Sequence, residues 1–282
     1  MDVVKDTESL RQQLHMLRGS GHVAFVPTMG NLHAGHLKLV QHAKAVAHTV
    51  VVSIFVNPLQ FGTTEDLSNY PSTLDNDQAA LEQLDVDLLF LPGVEDIYPA
   101  GPDATTTVSV PGLKDLLEGQ HRPTHFDGVT TVVATLFNLV RPEIAVFGEK
   151  DYQQLLLIRQ MVADLCMPVR VDGIATVREA DGLAMSSRNN YLVDADRAIA
   201  AQIYQTLLDI KALVEAGEQN FAGIEQAGRL QLEEAGFTPD YVSIRRAADL
   251  ALPRPGDTQL RVLAAAVLGS ARLLDNIGIS MS

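Results

Sequence analysis

Apolar positions in this chain fall into short unbroken runs and into helical repeats, and the two alternate. Leu10, Leu14 and Leu17 share one side of a helix, with Arg11, Gln12 and Arg18 on the other. Residues 6–18 are therefore expected to form an amphipathic helix ended by Gly19 and Gly21. His22-Val23-Ala24-Phe25-Val26 reads as a buried strand bounded by Gly21 and Pro27. Leu37, Leu39, Val40 and Ala43 then recur at helical spacing up to about Ala47. Thr49 to Val56 is almost entirely apolar and β-branched, the pattern of a strand covered on both faces in a parallel sheet. Asn57-Pro58-Leu59-Gln60-Phe61-Gly62 breaks it. Further along, helices are expected over about 74–84, 128–139 and from Asp151 to Leu165, with strands over 87–91, 105–110, 144–147 and 169–174.

The last hundred residues change pattern. Ala195–Ala216 reads as one long helix and 224–235 as another, ended by Gly236. Strand-like pieces follow at 241–244, 260–267 and 272–277, with Gly269-Ser270 as a hairpin turn pair. The expected fold is α/β: a Rossmann-like open parallel sheet in residues 1–187 and a smaller C-terminal α+β domain, 188–282, acting as a lid.

Three polar turns each follow a buried strand, at 27–36, 57–62 and 148–151, and ligands of open parallel sheets bind at that edge. In the first, Pro27-Thr28-Met29-Gly30-Asn31-Leu32-His33-Ala34-Gly35-His36, Gly30 permits a tight turn or close approach. His33 and His36 share one face of the first helical turn, Gly35 leaves room between them, and the helix start favours phosphate. Lys150 is a mobile charge for phosphate oxygens, and Asp151 suits a helix cap or a ribose hydroxyl. Gln60 and Gln154 both donate and accept, which suits a ligand bearing hydroxyls and a carboxylate. Met185-Ser186-Ser187-Arg188 is a hydroxyl-rich loop fit to wrap a triphosphate, with Arg188 on the leaving pyrophosphate. Each segment also has a plain structural reading. The histidines alone lack the third ligand zinc needs, and Asp75 and Asp77 simply begin a helix favourably.

Charge and composition narrow the partners. The net charge of −14 argues against a broad nucleic-acid footprint, yet a few focused cations can still hold an anionic small molecule. No apolar run approaches the ~20 residues of a membrane helix. The start of the chain carries neither a signal nor a transit pattern, and a single cysteine, Cys166, fits a reducing cytoplasm.

Residues 27–36 resemble the H-x-G-H signature of a nucleotidyltransferase superfamily that includes class I aminoacyl-tRNA synthetases, and Met185–Arg188 resembles its second signature. More narrowly, four further segments join the histidine motif: Phe55-Val56-Asn57-Pro58-Leu59-Gln60-Phe61, Arg122-Pro123-Thr124-His125-Phe126, Val146 to Gln154 and Met185 to Asn189. In that order they resemble the pantoate–β-alanine ligase family over essentially the whole chain. The resemblance implies a two-step reaction. Pantoate and ATP give pantoyl adenylate and pyrophosphate, and β-alanine then displaces AMP to give pantothenate. It assigns ATP to Met29, Gly30, His33, Gly35, His36, Gly148, Glu149, Lys150, Asp151, Val177, Met185, Ser186, Ser187 and Arg188. Among these, His33, His36, Lys150 and Arg188 stabilise charge on the phosphates. It assigns pantoate and β-alanine to Gln60, Gln154, Asn57, Arg122 and His125. It implies Mg²⁺ with ATP, with Asp77 of the Asn76-Asp77 pair as the candidate protein contact, and a homodimer. The Gly/Pro-rich stretch 111–128 is a candidate lid against water. Two alternatives stand beside this one: another nucleotidyltransferase of the superfamily, and a nucleotide-sensing module without turnover.

Overall fold

The computed structural model describes residues 1–61 and 73–281. Gly62 of the 57–62 turn lies outside them. The chain begins with β1 (Asp2–Val4), α1 (Thr7–Leu17), β2 (Val23–Thr28), α2 (Ala34–Val46) and β3 (Thr49–Ile54). It continues with α3 (Leu74–Glu82), β4 (Leu88–Phe90), α4 (Val94–Ile97), α5 (Glu118–His121), α6 (His125–Val140) and β5 (Ile144–Gly148). Next come α7 (Tyr152–Asp164), β6 (Arg170–Ile174), α8 (Asp194–Ala200), α9 (Gln202–Glu215) and α10 (Phe221–Glu234). It ends with β7 (Thr238–Arg246), β8 (Gln259–Leu268) and β9 (Ala271–Ser280). Among the described residues no helix is long and apolar enough to cross a membrane.

Two compact units share these elements. The first takes 1–115, 122–149 and 157–175; the second takes 116–121, 150–156 and the chain from Thr176 onward. The first unit is a six-stranded parallel sheet in the order β1-β4-β3-β2-β5-β6. Val50, Val51 and Val52 are wholly buried, as their unbroken apolar run requires. The strand order reverses between β2 and β5, so the ligand-binding crevice of such a sheet lies at their carboxyl ends. The histidine motif follows one of these strands and Gly148-Glu149 ends the other.

The second unit is a three-stranded antiparallel sheet, β7-β8-β9, with register Leu268↔Ala271 across the Gly269-Ser270 turn. Ile203, Leu207, Ile210 and Val214 of α9 and Ile224 and Leu232 of α10 pack on Leu260, Val262, Ala264 and Ala266 of β8. The division falls at Thr176, ahead of Arg188, because the 176–189 loop is tied to β9. The Arg178 guanidinium grips Asp275 at 2.6 and 3.0 Å.

The local differences from the sequence reading have local causes. β1 is too short to show a period; it adds to the sheet edge through Asp2↔Leu88. β2 runs on through Pro27, paired there with Ser53 of β3, while its pairing with β5 spans Ala24 and Phe25. A proline is tolerated where its missing N–H has no ladder partner. Residues 105–110 form no strand. Val108 N–H donates to the Thr131 hydroxyl (2.9 Å), and the Thr130 hydroxyl donates to the Val108 carbonyl, so threonines of α6 replace a neighbouring strand. The expected 195–216 helix is two helices parted at Ala201, where ψ flattens to −12°.

Candidate active site

In the first unit the turn after β2 is built around two imidazoles. His33 is the N-cap of α2 rather than a residue of its first turn, and its Nδ1 accepts the Gly35 N–H at 3.1 Å. His36 Nδ1 accepts the His33 N–H at 3.3 Å, completing a reciprocal cap in which imidazoles replace the usual hydroxyl and carboxylate. The rings lie 4.1 Å apart, centre to centre. A ring nitrogen that accepts carries no proton, so both histidines bear theirs on Nε2 when neutral. The motif thus offers two N–H donors beside a helix N-terminus, a setting for phosphate oxygens.

The turn before them is pinned from α3. Asp77 is buried, and its carboxylate accepts the Asn31 N–H and the Leu32 N–H at 2.8 Å each and the Thr73 hydroxyl at 3.1 Å. Gly30, at φ +84°, passes so close that a Cβ there would stand 3.0 Å from Ile54 and 3.2 Å from Asp77. Asp77, the expected protein contact for magnesium, thus also holds the backbone of the histidine turn. Among the described residues no group of three or more His, Cys, Asp or Glu could hold a metal ion. Asp77→Ala should leave two backbone donors without their acceptor and destabilise the protein by about 2–6 kcal/mol, at about 1–3 kcal/mol per group. Thermal melts check this loss, and the released histidine turn should also weaken the affinity for ATP in the folded fraction, as read by calorimetric titration.

A second cluster in the same unit surrounds Gln60. Asn57 is buried and fully engaged. Its Oδ1 accepts the Tyr98 hydroxyl (2.7 Å) and the Leu59 N–H (3.2 Å), and its Nδ2 donates to Gln60 Oε1 (3.0 Å) and the Gly128 carbonyl (3.1 Å). Asn57, expected among the pantoate and β-alanine contacts, is thus bonded directly to Gln60. With Oε1 turned to Asn57, Gln60 Nε2 donates to Met29 Sδ at 3.4 Å, joining this cluster to the histidine turn. Arg122 and His125 converge on the Gln60 carbonyl at 3.3 and 2.9 Å and lie 3.1 Å from each other. Burial pushes the Tyr98 phenol well above its ordinary pKa, so it stays a hydroxyl donor to Asn57. Tyr98 and Gly128 escape the sequence reading. A glycine inside the apolar helix pattern at 128–139 is the available signal for the second.

In the second unit, Lys150, Asp151 and Gln154 lie on one segment and Val177 and Met185–Arg188 on another. Lys150, Ser186, Arg188, Arg272 and Asp275 line one pocket of this unit. The Ser186 hydroxyl accepts the Arg188 N–H (3.2 Å) and starts a short 3₁₀ turn, Ser187–Tyr191. Val177 accepts the Met185 N–H at 3.0 Å, and Asn189 Nδ2 bonds Glu179 and the Ala184 carbonyl, so the serine loop leaves a closed turn. The candidate lid is tied down in part. Glu118 takes two bonds of 2.8 Å from the Arg272 guanidinium and one of 2.8 Å from the Tyr241 hydroxyl. Burial pushes the Asp275 carboxyl above its ordinary pKa, and the Arg178 guanidinium opposes that rise.

Comparison with known proteins follows the same lines. A family model described as pantoate-beta-alanine ligase matches residues 2–278. Pantothenate synthetase of Thioalkalivibrio sulfidiphilus is 55% identical over 282 residues, covering 100% of this chain and 99% of the relative. That of Azotobacter vinelandii is 52% identical, with 100% of both chains covered. The crystal structure of pantothenate synthetase from Thermus thermophilus superposes with a TM-score of 0.92 at 46% identity, over 98% of this chain and 99% of that one. A Francisella tularensis pantoate-beta-alanine ligase, complexed with "Beta-gamma ATP and Beta-alanine", gives 0.83 at 34% identity, over 98% and 97%. Motif order, sheet topology and full-length similarity agree, and the chain belongs to the pantoate–β-alanine ligase family.

Proposed function

We propose that the residues described above divide the family's reaction into a phosphate-binding task and an acid-binding task. The protein is an ATP-dependent ligase that joins pantoate to β-alanine and forms pantothenate, AMP and pyrophosphate. A carboxylate is a poor electrophile. Attack of a pantoate carboxylate oxygen on the α-phosphorus expels pyrophosphate and leaves an acyl adenylate. The β-alanine amine then attacks the acyl carbon, AMP leaves and the amine proton is released. Neither step requires a protein nucleophile. Both require alignment and stabilisation of charge on phosphate.

The observation that carries this reading is the pair of imidazoles whose Nδ1 atoms accept backbone N–H groups. Their Nε2–H groups serve the phosphates, with Lys150, Ser186, Ser187 and Arg188. Met29, Gly30, Gly35, Gly148, Glu149, Asp151, Val177 and Met185 complete the nucleotide set. Gln60, Gln154, Arg122 and His125 serve pantoate and β-alanine, and Asn57 holds Gln60 for that task. Magnesium arrives with ATP as part of the substrate. The test is one mixture of ATP, pantoate and β-alanine. AMP and pantothenate should form together; ADP, or no turnover, would overturn the reading. A homodimer and a cytoplasmic location belong to the same proposal, and light scattering and cell fractionation decide them.

A further inference from the structure

The strand β9 carries a polar pair in an apolar run: Leu273-Leu274-Asp275-Asn276-Ile277. Both side chains are buried, at 2% and 3% exposure. Neighbouring residues of a strand face opposite sides of the sheet, so the pair serves both faces of the second unit's sheet. The established reaction has no use for either residue directly, and a buried ion pair often stabilises a fold less than well-packed apolar side chains would.

On one face Asp275 accepts both arms of the Arg178 guanidinium, at 2.6 and 3.0 Å. Arg178 also donates to the Gly182 carbonyl at 3.0 Å and lies over the Tyr204 ring, 3.7 Å from its centre. It forms a β-bridge with Ala184, the residue before Met185. Asp275 thus anchors the turn from which Met185–Arg188 emerges, and Ala264 opposite it on β8 leaves space for the pair. On the other face Asn276 Nδ2 donates to the Lys150 carbonyl at 2.8 Å. Its Oδ1 accepts from Arg261, whose guanidinium lies 3.6 Å above the Tyr152 ring. One dipeptide therefore bonds the Lys150 backbone directly and, through Arg178, the turn that leads into Met185–Arg188, and Lys150, Ser186 and Arg188 line one pocket.

We propose that Asp275-Asn276 is a positioning pair that sets Lys150 and the Met185–Arg188 loop in register for the phosphates of ATP. The proposal rests on the assignment of those two segments to the nucleotide. Asp275 acts through Arg178 and Asn276 through the Lys150 backbone.

The test compares Asp275→Asn and Asn276→Ala with Lys150→Ala and Arg188→Ala, in the full chain, by initial rates and by calorimetric titration with ATP. Each of the first two should raise the KM for ATP by about tenfold or more, since a misplacement near 1 Å costs up to about 10² in rate. The KM for pantoate should stay within about twofold, and transfer from preformed pantoyl adenylate should persist, because that step involves no β- or γ-phosphate. Asn276→Ala removes a neutral group and keeps the experiment informative if Asp275→Asn fails to fold. Ile210→Val, which trims the α9 core of the same unit, supplies the stability control. An equal rise in ATP KM in Ile210→Val would show general loosening and overturn the proposal. So would an unchanged ATP KM in a folded Asn276→Ala while Lys150→Ala and Arg188→Ala raise theirs. If those two variants leave both the ATP KM and the rate of adenylation unchanged, the nucleotide assignment itself fails, and the positioning role falls with it.

Discussion

His36→Ala and Arg188→Ala should each slow pyrophosphate–ATP exchange by about 10²–10³, the usual cost of losing one positioned donor where charge develops. That exchange reads the adenylation step alone and should run with pantoate in the absence of β-alanine. Transfer of the pantoyl group from preformed pantoyl adenylate should suffer far less, because the β- and γ-phosphates have already gone. His36 also caps its helix, accepting the His33 N–H through Nδ1. A loss in His36→Ala therefore mixes capping with chemistry. His36→Gln separates them, since glutamine at this position can still accept in a capping box. Its melting temperature should approach that of the parent while exchange remains impaired. Circular dichroism must accompany each variant. Equal losses in both half-reactions from a folded protein would mean that the residue holds the adenylate itself, and its assignment to the departing pyrophosphate would be wrong.

Gly128→Ala should damage the acid-binding cluster without adding or removing a polar group. An alanine Cβ at this helical position would stand 2.2 Å from the Leu59 carbonyl oxygen, 2.5 Å from its carbon and 2.9 Å from Gln60 N. All three are backbone atoms, so no side chain can swing aside. The 58–60 turn must move, and the 3.1 Å bond from Asn57 to the Gly128 carbonyl is strained or lost with it. Overpacking of this kind costs about 1–3 kcal/mol. Displacing Gln60 by about 1 Å should lower kcat/KM for pantoate by up to about 10², with a smaller change in the KM for ATP. Gly19→Ala is the matched control, because nothing lies within 4 Å of its added methyl. A folded Gly128→Ala with an unchanged kcat/KM for pantoate would show that Gln60 does not serve pantoate.

Several elements are legible because their signals are local. The Thr49–Ile54 run and the helical repeats of α1 and α2 announce themselves within one window, as does the Gly269-Ser270 hairpin. The histidine motif is legible as a unit for the same reason: cap, rings and helix start all fall between Met29 and His36. One feature misleads. Residues 105–110 alternate like a strand, but their hydrogen bonds go to Thr130 and Thr131 of a helix. Two sets of partners stay hidden: the resemblance names Asn57 as a substrate contact and Asp77 as a metal contact, but only the structure gives the bonds of Asn57 to Tyr98, Leu59, Gln60 and Gly128 and the hold of Asp77 on the histidine turn.

The α/β class, the alternation of strands and helices in the first half of the chain, the place of each polar turn after a buried strand and the family are all written in the sequence alone. They follow from periods of two and 3.6 residues and from motifs of fixed spacing, which short windows contain in full. Which partner each polar side chain meets is decided only by tertiary contacts. Asp77 meets Asn31 across 46 positions, Asn57 meets Gly128 across 71, Arg178 meets Asp275 across 97 and Asn276 meets Lys150 across 126. No periodicity spans such distances. Sheet order and burial choose those partners, and once water is excluded an unmatched polar group is too costly to leave. The same pressure makes a buried asparagine or aspartate find a partner and so become part of the frame around the polar turns.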